Sequence, residues 1–372
     1  MRCLAVVPGT RRLDVVERPD PGLPGDNQVL VEMLECGVCG TDRHLIERGW
    51  GRPPAGEASL VIGHEPLGRV LKVGSCVRHL REGDYVTATN QRSCGACPLC
   101  AAGEVDLCTA AAGTGRGISG MDGFLRPRLL DDAAFSVHVP QELRAVAVLT
   151  EPLAVGEKMI EQVRQVQRRL PGSLWCAPPD AGAWAAGLRF AIGGAGPVGL
   201  LMAMALRAQG GDVQVVDRSP ADGRKARLVG EIGAHYHSTE GRDLQDLTDL
   251  LGPVDCVLEA AGSADLCVGL WRSLVRNGVM GMVGGASGSH PGLHPQEVFG
   301  RALGRNQALV GIVASNRRHF ALALEDLGRF EARFPSAVRA LITSRHPFDH
   351  ADGAFTAPQP GDIKQVIQVG NG

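Results

Sequence analysis

The stretch Arg189-Phe-Ala-Ile-Gly-Gly-Ala-Gly-Pro-Val-Gly199 decides how the second half of this chain folds. A short apolar run, Arg189–Ile192, leads into Gly194-Ala195-Gly196-Pro197-Val198-Gly199, and a helical pattern over Pro197–Gln209 leads out. Strand, glycine turn and helix in that order form a dinucleotide fingerprint. Gly194 permits the tight turn. Gly196 lets the backbone approach a pyrophosphate, and Gly199 lets helix and sheet pack closely. Pro197 suits a first helical turn, where its missing N–H is no loss. The unpaired N–H groups of that turn, with Val198 among its residues, face the phosphates. Asp217 ends the next strand, Asp212–Val216. A carboxylate there accepts hydrogen bonds from the adenosine ribose and repels a 2′-phosphate, which favours NAD over NADP. Arg218 and Arg224 pull the other way, since a guanidinium pairs with that phosphate. The cofactor contacts expected are therefore Gly194, Gly196, Pro197, Val198, Gly199, Asp217 and Arg218.

The alternation continues downstream. A helix is expected over Arg224–Gly233, a strand over Val254–Leu258, a helix over Ala264–Val275, and strands over Val279–Val283 and Leu309–Val313. That order predicts a doubly wound parallel sheet with helices on both faces. Upstream the grammar differs. Gln28–Leu34, Arg69–Val73 and Tyr85–Thr89 read as strands between turn signals, which predicts a β-rich, barrel-like domain. Met159–Leu170 is amphipathic at helical spacing, and Pro178-Pro179-Asp180-Ala181-Gly182 reads as a linker. The tail returns to a helix over Phe320–Phe330 and a strand over Gln365–Val369. No internal repeat is present.

Cys94-Gly-Ala-Cys-Pro-Leu-Cys100, followed by Cys108, places four of the chain's 11 cysteines within fifteen residues. The spacing suits one tetrahedral zinc with Cys94, Cys97, Cys100 and Cys108 as thiolate ligands. An iron–sulfur cluster shares the opening spacing but has its usual Cys-Pro end missing here. A disulfide framework does not suit a chain of this length.

Composition narrows the function classes. The formal net charge is -2 and no long basic run occurs, so nucleic acid is a poor partner. Aromatic residues are only 4%, which removes stacking platforms. No apolar stretch reaches membrane length. The opening Met1-Arg2-Cys3-Leu4-Ala5-Val6-Val7-Pro8 is too short for a signal peptide and reads as a first strand. A reducing cytoplasm is expected, where thiolates persist. Cys36 reads as a small buried residue, His235 and His237 as isolated imidazoles, and Arg317, Arg318 and His319 as a solvated helix start.

Three further fragments complete the pattern: Cys39-Gly-Thr-Asp42 with His44, Gly63-His-Glu65, and Thr150-Glu-Pro-Leu153. With the cysteine lobe and the glycine loop, in this order, the chain resembles the zinc-dependent medium-chain alcohol dehydrogenases over its full length. The likeness is greatest to their glucose dehydrogenase branch, through Asn90-Gln-Arg-Ser-Cys94, Gly117-Ile-Ser-Gly-Met-Asp-Gly-Phe124, Asn316-Arg-Arg-His-Phe320 and Ile363-Lys364. The resemblance implies a discontinuous GroES-like catalytic domain, residues 1–172 and 314–372, with a Rossmann domain, residues 173–313, between. It implies a homodimer or homotetramer. It also implies a second, catalytic zinc held by Cys39 and His64, with Glu65 and Glu151 beside it, and Asn90 and Glu151 as substrate contacts.

Those residue types suit the chemistry. A Lewis-acidic zinc lowers the pKa of an alcohol whose carbon is to lose hydride. Thr41 and His44 are placed to carry the proton onward, with Glu65 as a further catalytic candidate. Asp42 reads either as an orienting partner for an imidazole or as a helix cap. Two departures from the branch stand out. Gly115 replaces a glutamate and Ala314 an asparagine, both polar sugar contacts in relatives. Their loss predicts a sugar, amino sugar, cyclitol or polyol substrate rather than plain glucose. The competing readings are a zinc-free quinone or enone reductase on the same scaffold and a non-catalytic zinc protein.

Overall fold

The computed structural model describes residues 1–110, 114–176, 183–244, 247–285, 295–355, 359 and 361–370. The linker expected at 178–182 lies outside the described residues. Two compact units emerge. One comprises Met1–Ala154, Ala314–Gly328 and Leu341–Gly372; the other comprises Val155–Val313 and Arg329–Ala340.

The first unit is built mostly on antiparallel strands, with Lys364–Gln368 and Ile342–Pro347 running parallel. Ser136–Val139, Tyr85–Ala88, Glu65–Val73, Gln28–Val38, Lys364–Gln368 and Ile342–Pro347 lie side by side, and Arg128–Asp132 also pairs with the long strand Gln28–Val38. A smaller sheet joins Leu13–Glu17, Arg2–Val6 and Leu60–Val61. Strand faces carrying Val29, Val31, Met33, Val70 and Val86 meet Leu45, Phe124, Leu125 and Ile367 in one apolar core. Burying such side chains stabilises by roughly 1.5–3 kcal/mol each. The tail strand lies beside Glu35–Val38, so residues far apart in sequence face each other at one end of this sheet.

The second unit is a six-stranded parallel sheet. Its spatial order is His235–Ser238, Asp212–Asp217, Arg189–Gly193, Val254–Glu259, Leu274–Met282 and Ala308–Gly311. Numbered along the chain that is 3-2-1-4-5-6, the doubly wound order. The first strand, Arg189–Gly193, is central and its C-terminal end opens into the glycine turn. The helix Pro197–Ala208 buries every residue from Gly199 to Leu206, as its nearly unbroken apolar run requires.

Several boundaries differ from expectation, and two of them have a clear physical reason. The helix expected to start at Met159 starts at Thr150 and runs to Gln167. Pro152 falls in its first turn, where proline is tolerated, while apolar periodicity alone marks only the later part. From Val155 this helix packs within the second unit: Gly156 abuts Met202, and Met159 and Val163 close on Gly281. The helix expected over Ala264–Val275 stops at Arg272, and Leu274 begins the next strand. Leu274 pairs with Val254, so a sheet neighbour claims an apolar residue that periodicity assigns to the helix. No helix among the described residues is long and apolar enough to cross a membrane.

Candidate active site

Cys39 caps the helix Gly40–Arg48 in extended conformation, and its N–H donates to Asp42 Oδ2 at 2.9 Å. His64 and Glu65 open the strand Glu65–Val73 after Gly63, whose φ of +90° only glycine adopts easily. A side chain at Gly63 would also strike Leu125 and the Cys36 sulfur. These two local devices bring donor atoms of Cys39, His64 and Glu65 within 4.8 Å of one another. His64 and Glu65 are buried at 3% and 1% exposure.

Around this group several charged side chains stand close together. Asp42, fully buried, faces His64 Nδ1 with its Oδ1 at 3.2 Å. It therefore serves as both helix cap and imidazole neighbour, the two roles its sequence position allowed. Burial alone would raise the Asp42 carboxyl, but His64 and the Cys39 N–H hold it below the usual range. Burial alone would lower the His64 imidazole, but Asp42 and Cys39 drive it well above its ordinary value. The field at this point favours a cation. Lys364 Nζ reaches Glu65 Oε1 at 2.7 Å and Oε2 at 2.5 Å and the Val38 carbonyl at 3.3 Å. Gly37 makes room for this carboxylate, since a Cβ there would lie 2.0 Å from Glu65 Oε2.

Glu151 stands beside the group without joining its three close donors. Burial, with Glu65 nearby, pushes its carboxyl up to about 7 against the pull of His64. Asn90 Nδ2 donates to Glu151 Oε1 at 3.3 Å, so these two expected substrate contacts are together. Thr41 Oγ1 lies 3.8 Å from Cys39 Sγ. His44 is half-buried on the same helix, and among the described residues no hydrogen bond joins it to Thr41. Gly115 and Ala314 stand where polar side chains were expected to be missing; Ala314 takes a φ of +56°.

The four lobe cysteines also converge, with all sulfurs within 4.8 Å. Three separations are 3.9 Å for Cys94–Cys100, 3.5 Å for Cys97–Cys100 and 3.9 Å for Cys97–Cys108. Tetrahedral zinc with ligands at about 2.3 Å needs sulfurs about 3.8 Å apart. Burial and Cys97 push the Cys100 thiol up to about 11. N–H groups of Ala96 and Cys97 point at the Cys94 sulfur, at 3.5 and 3.3 Å. The donor set fits zinc.

In the second unit the glycine turn has the expected shape. Gly194 has a φ of +96°, and its N–H bonds the Val216 carbonyl at 2.7 Å. A Cβ on Gly199 would lie 1.9 Å from the Gly194 carbonyl oxygen. A Cβ on Gly196 would meet nothing within 4 Å, so the face over the helix start is open to a ligand. Pro197 and Val198 form the first turn. Asp217 Oδ2 accepts from the Ala195 N–H at 2.7 Å, and Oδ1 from the Ser219 N–H at 2.9 Å. Lys225 Nζ stands 3.7 Å from Oδ1. Burial would raise the Asp217 carboxyl, but Lys225 and these N–H groups hold it below the usual range. Arg218 is exposed, and Arg224 donates to the Ala340 carbonyl at 3.0 Å. Sequence reasoning missed Lys225. A cation eight residues past the acid carries no spacing rule that would flag it.

Comparison with known proteins follows the same division. Residues 25–141 match the family described as "Alcohol dehydrogenase GroES-like domain", and residues 144–369 match "Glucose dehydrogenase C-terminus". The chain is 34% identical to a glucose 1-dehydrogenase of Methanocella arvoryzae, covering 100% of both chains. It is 36% identical to one of Thermoproteus tenax, covering 99% of both. It is similar in structure to the glucose dehydrogenase of Haloferax mediterranei solved with NADP, Zn and gluconolactone, with a TM-score of 0.85, 26% identity and 99% of both chains covered.

Proposed function

This chain belongs to the zinc-dependent medium-chain alcohol dehydrogenase family, in its glucose dehydrogenase branch, and on that premise we propose that it interconverts a sugar-like alcohol with its carbonyl. The observation that carries the reading is the convergence of Cys39, His64 and Glu65 in a buried site whose field favours a cation. Zinc there supplies a Lewis acid for a secondary or hemiacetal alcohol, and NAD or NADP supplies the hydride acceptor.

The chain's own residues supply the rest. Asp42 facing Nδ1 orients the His64 ring and leaves Nε2 as the ligand atom. Lys364 holds both oxygens of Glu65, so Cys39 and His64 are the principal ligands and Glu65 a reserve one. Glu151, raised to about 7 and bonded by Asn90, is poised to hold or release a proton beside a substrate hydroxyl. Thr41 and His44 provide hydroxyl and imidazole on the helix that begins at Cys39, a route for a proton to leave. Cys94, Cys97, Cys100 and Cys108 would hold a second zinc.

The substrate is a modified sugar, amino sugar, cyclitol or other polyol rather than plain glucose. Gly115 and Ala314 offer no polar side chain, so hydroxyls that a glutamate and an asparagine would read go unread. For the dinucleotide, the charge of Asp217 argues for NAD. Two N–H groups and Lys225 engage that carboxylate and weaken its repulsion of a 2′-phosphate, and the Haloferax relative carries NADP. The reading is therefore that both forms are used. A homodimer or homotetramer is part of the reading. It is supported by Leu309 on the edge strand Ala308–Gly311, and by Phe299, Leu303 and Val313, all exposed apolar side chains in the same unit. A reducing cytoplasm suits the free thiols.

The test combines metal analysis with a screen for reduced nicotinamide, pairing NAD and NADP with aldoses, amino sugars, cyclitols and polyols. Two zinc ions per chain and turnover of one such class are expected. Cys39→Ala should remove one ion and all turnover while ADP binding persists. Full turnover by that variant would refute the zinc mechanism, and glucose as best substrate by a wide margin would refute the substrate class.

A further inference from the structure

Asn316 directly precedes the helix Arg317–Arg333, and its amide faces two ways. Oδ1 accepts from the Arg318 N–H at 3.1 Å, which caps the helix. Nδ2 donates to Asp106 Oδ1 at 3.0 Å, on the turn between the third and fourth lobe cysteines. Beside it, Arg318 Nη1 meets Glu104 Oε1 at 2.8 Å. Arg317 and Arg318 are exposed, as expected of a solvated helix start, but His319 is buried at 1% exposure and Asn316 at 2%. Two carboxylates of the lobe sit at the end of the helix where unpaired N–H groups favour negative charge.

Backbone hydrogen bonds such as Ala101 N–H to the Cys97 carbonyl and Glu104 N–H to the Leu99 carbonyl, both at 2.9 Å, shape the lobe from within, but it has no apolar core of its own among the described residues. Neither Pro98–Ala101 nor Val105–Leu107 buries a single residue. Its order depends on the ion its thiolates share and on its polar contacts. We propose that the cysteine lobe and the first turn of this helix form one coupled unit, in which metal held by the four thiolates places Asp106 and Glu104 to fix the Asn316 cap. Coupling is reciprocal, so losing the Asn316–Asp106 bond loosens the lobe's hold on its metal. This rests on reading the four cysteines as a metal lobe.

The test uses the full chain loaded with zinc, in a Cys39→Ser background so that only the lobe ion is counted. Asn316→Ser retains a capping hydroxyl but cannot reach Asp106. It should bind one zinc per chain and yield it to a chromogenic chelator about tenfold faster, the scale of one charge-assisted hydrogen bond. Asp106→Ala should do the same. In the unsubstituted chain, stripping the lobe should raise hydrogen exchange at residues 315–320. Equal release rates, or exchange there indifferent to lobe metal, would overturn the coupling. A lobe that takes up no zinc at all would overturn the metal reading and the coupling together, and the initial metal content distinguishes the two failures.

Discussion

Lys364 closes on Glu65 across 299 residues of sequence, its ammonium within 2.7 Å of one carboxylate oxygen and 2.5 Å of the other. Both side chains are 1% exposed. Burial would lower the Lys364 ammonium's pKa, but Glu65 and Cys39 raise it. Two charges withdrawn from water cost more than their attraction returns unless the geometry is good. Here the pair ties the tail strand to the head of the strand that carries the His64-Glu65 corner.

Replacing Lys364 by Met leaves the Glu65 carboxylate buried without its partner. A loss of about 3–5 kcal/mol is expected. Chemical denaturation measures it, and the double change Lys364→Met with Glu65→Gln should recover part. A single variant as stable as the parent would contradict the pair's role.

Glycines in the phosphate turn should separate folding from binding. Gly199→Ala puts a Cβ 1.9 Å from the Gly194 carbonyl, so the turn must open. It should lower the thermal midpoint and weaken ADP binding at least about tenfold, a penalty of about 1.4 kcal/mol. Gly196→Ala has no neighbour within 4 Å and should fold normally while still impeding the pyrophosphate. Calorimetry with ADP beside thermal melts reads both. Equal behaviour of the two variants would show that the close packing is not what the turn requires.

The depressed Asp217 carboxyl gives a pH signature. A group held below its unfolded value stabilises the fold above that value and loses the contribution as pH falls through its folded one. The unfolding free energy of the parent should exceed that of Asp217→Asn at neutral pH. The gap should close as pH falls below about 4, the ordinary carboxylate range. A gap that widens in acid would reverse the sign and the assignment.

Lys225 should set tolerance for the 2′-phosphate. Lys225→Ala removes the cation 3.7 Å from Asp217 and leaves that charge less offset. Affinity for 2′,5′-ADP should fall about tenfold, within the usual span for a charge-assisted contact, while ADP changes little. Titration with both nucleotides checks it; an equal loss for the two would make Lys225 a general structural cation.

Much of this site is legible along the chain because its signals are local. The four cysteines lie on one short lobe, and the glycine turn sits between a strand and a helix that announce themselves by pattern. Cys39 with Asp42, and His64 with Glu65, are likewise short-range arrangements. The helix start at Thr150 was less legible, since Pro152 reads as a breaker until it is placed in a first turn. The strand start at Leu274 depended on its pairing with Val254, which no periodicity displays.

From residue order alone came the candidate metal donors, the glycine turn and the two-part architecture, because each follows from spacing over a few residues. Tertiary closure alone decided that Lys364 takes Glu65, that Lys225 offsets Asp217 and that Asn316, 210 residues from Asp106, docks the cysteine lobe. Such pairings arise only when separate strands and helices pack, and the need of a buried charge or amide for a partner selects among whatever side chains that packing brings within reach.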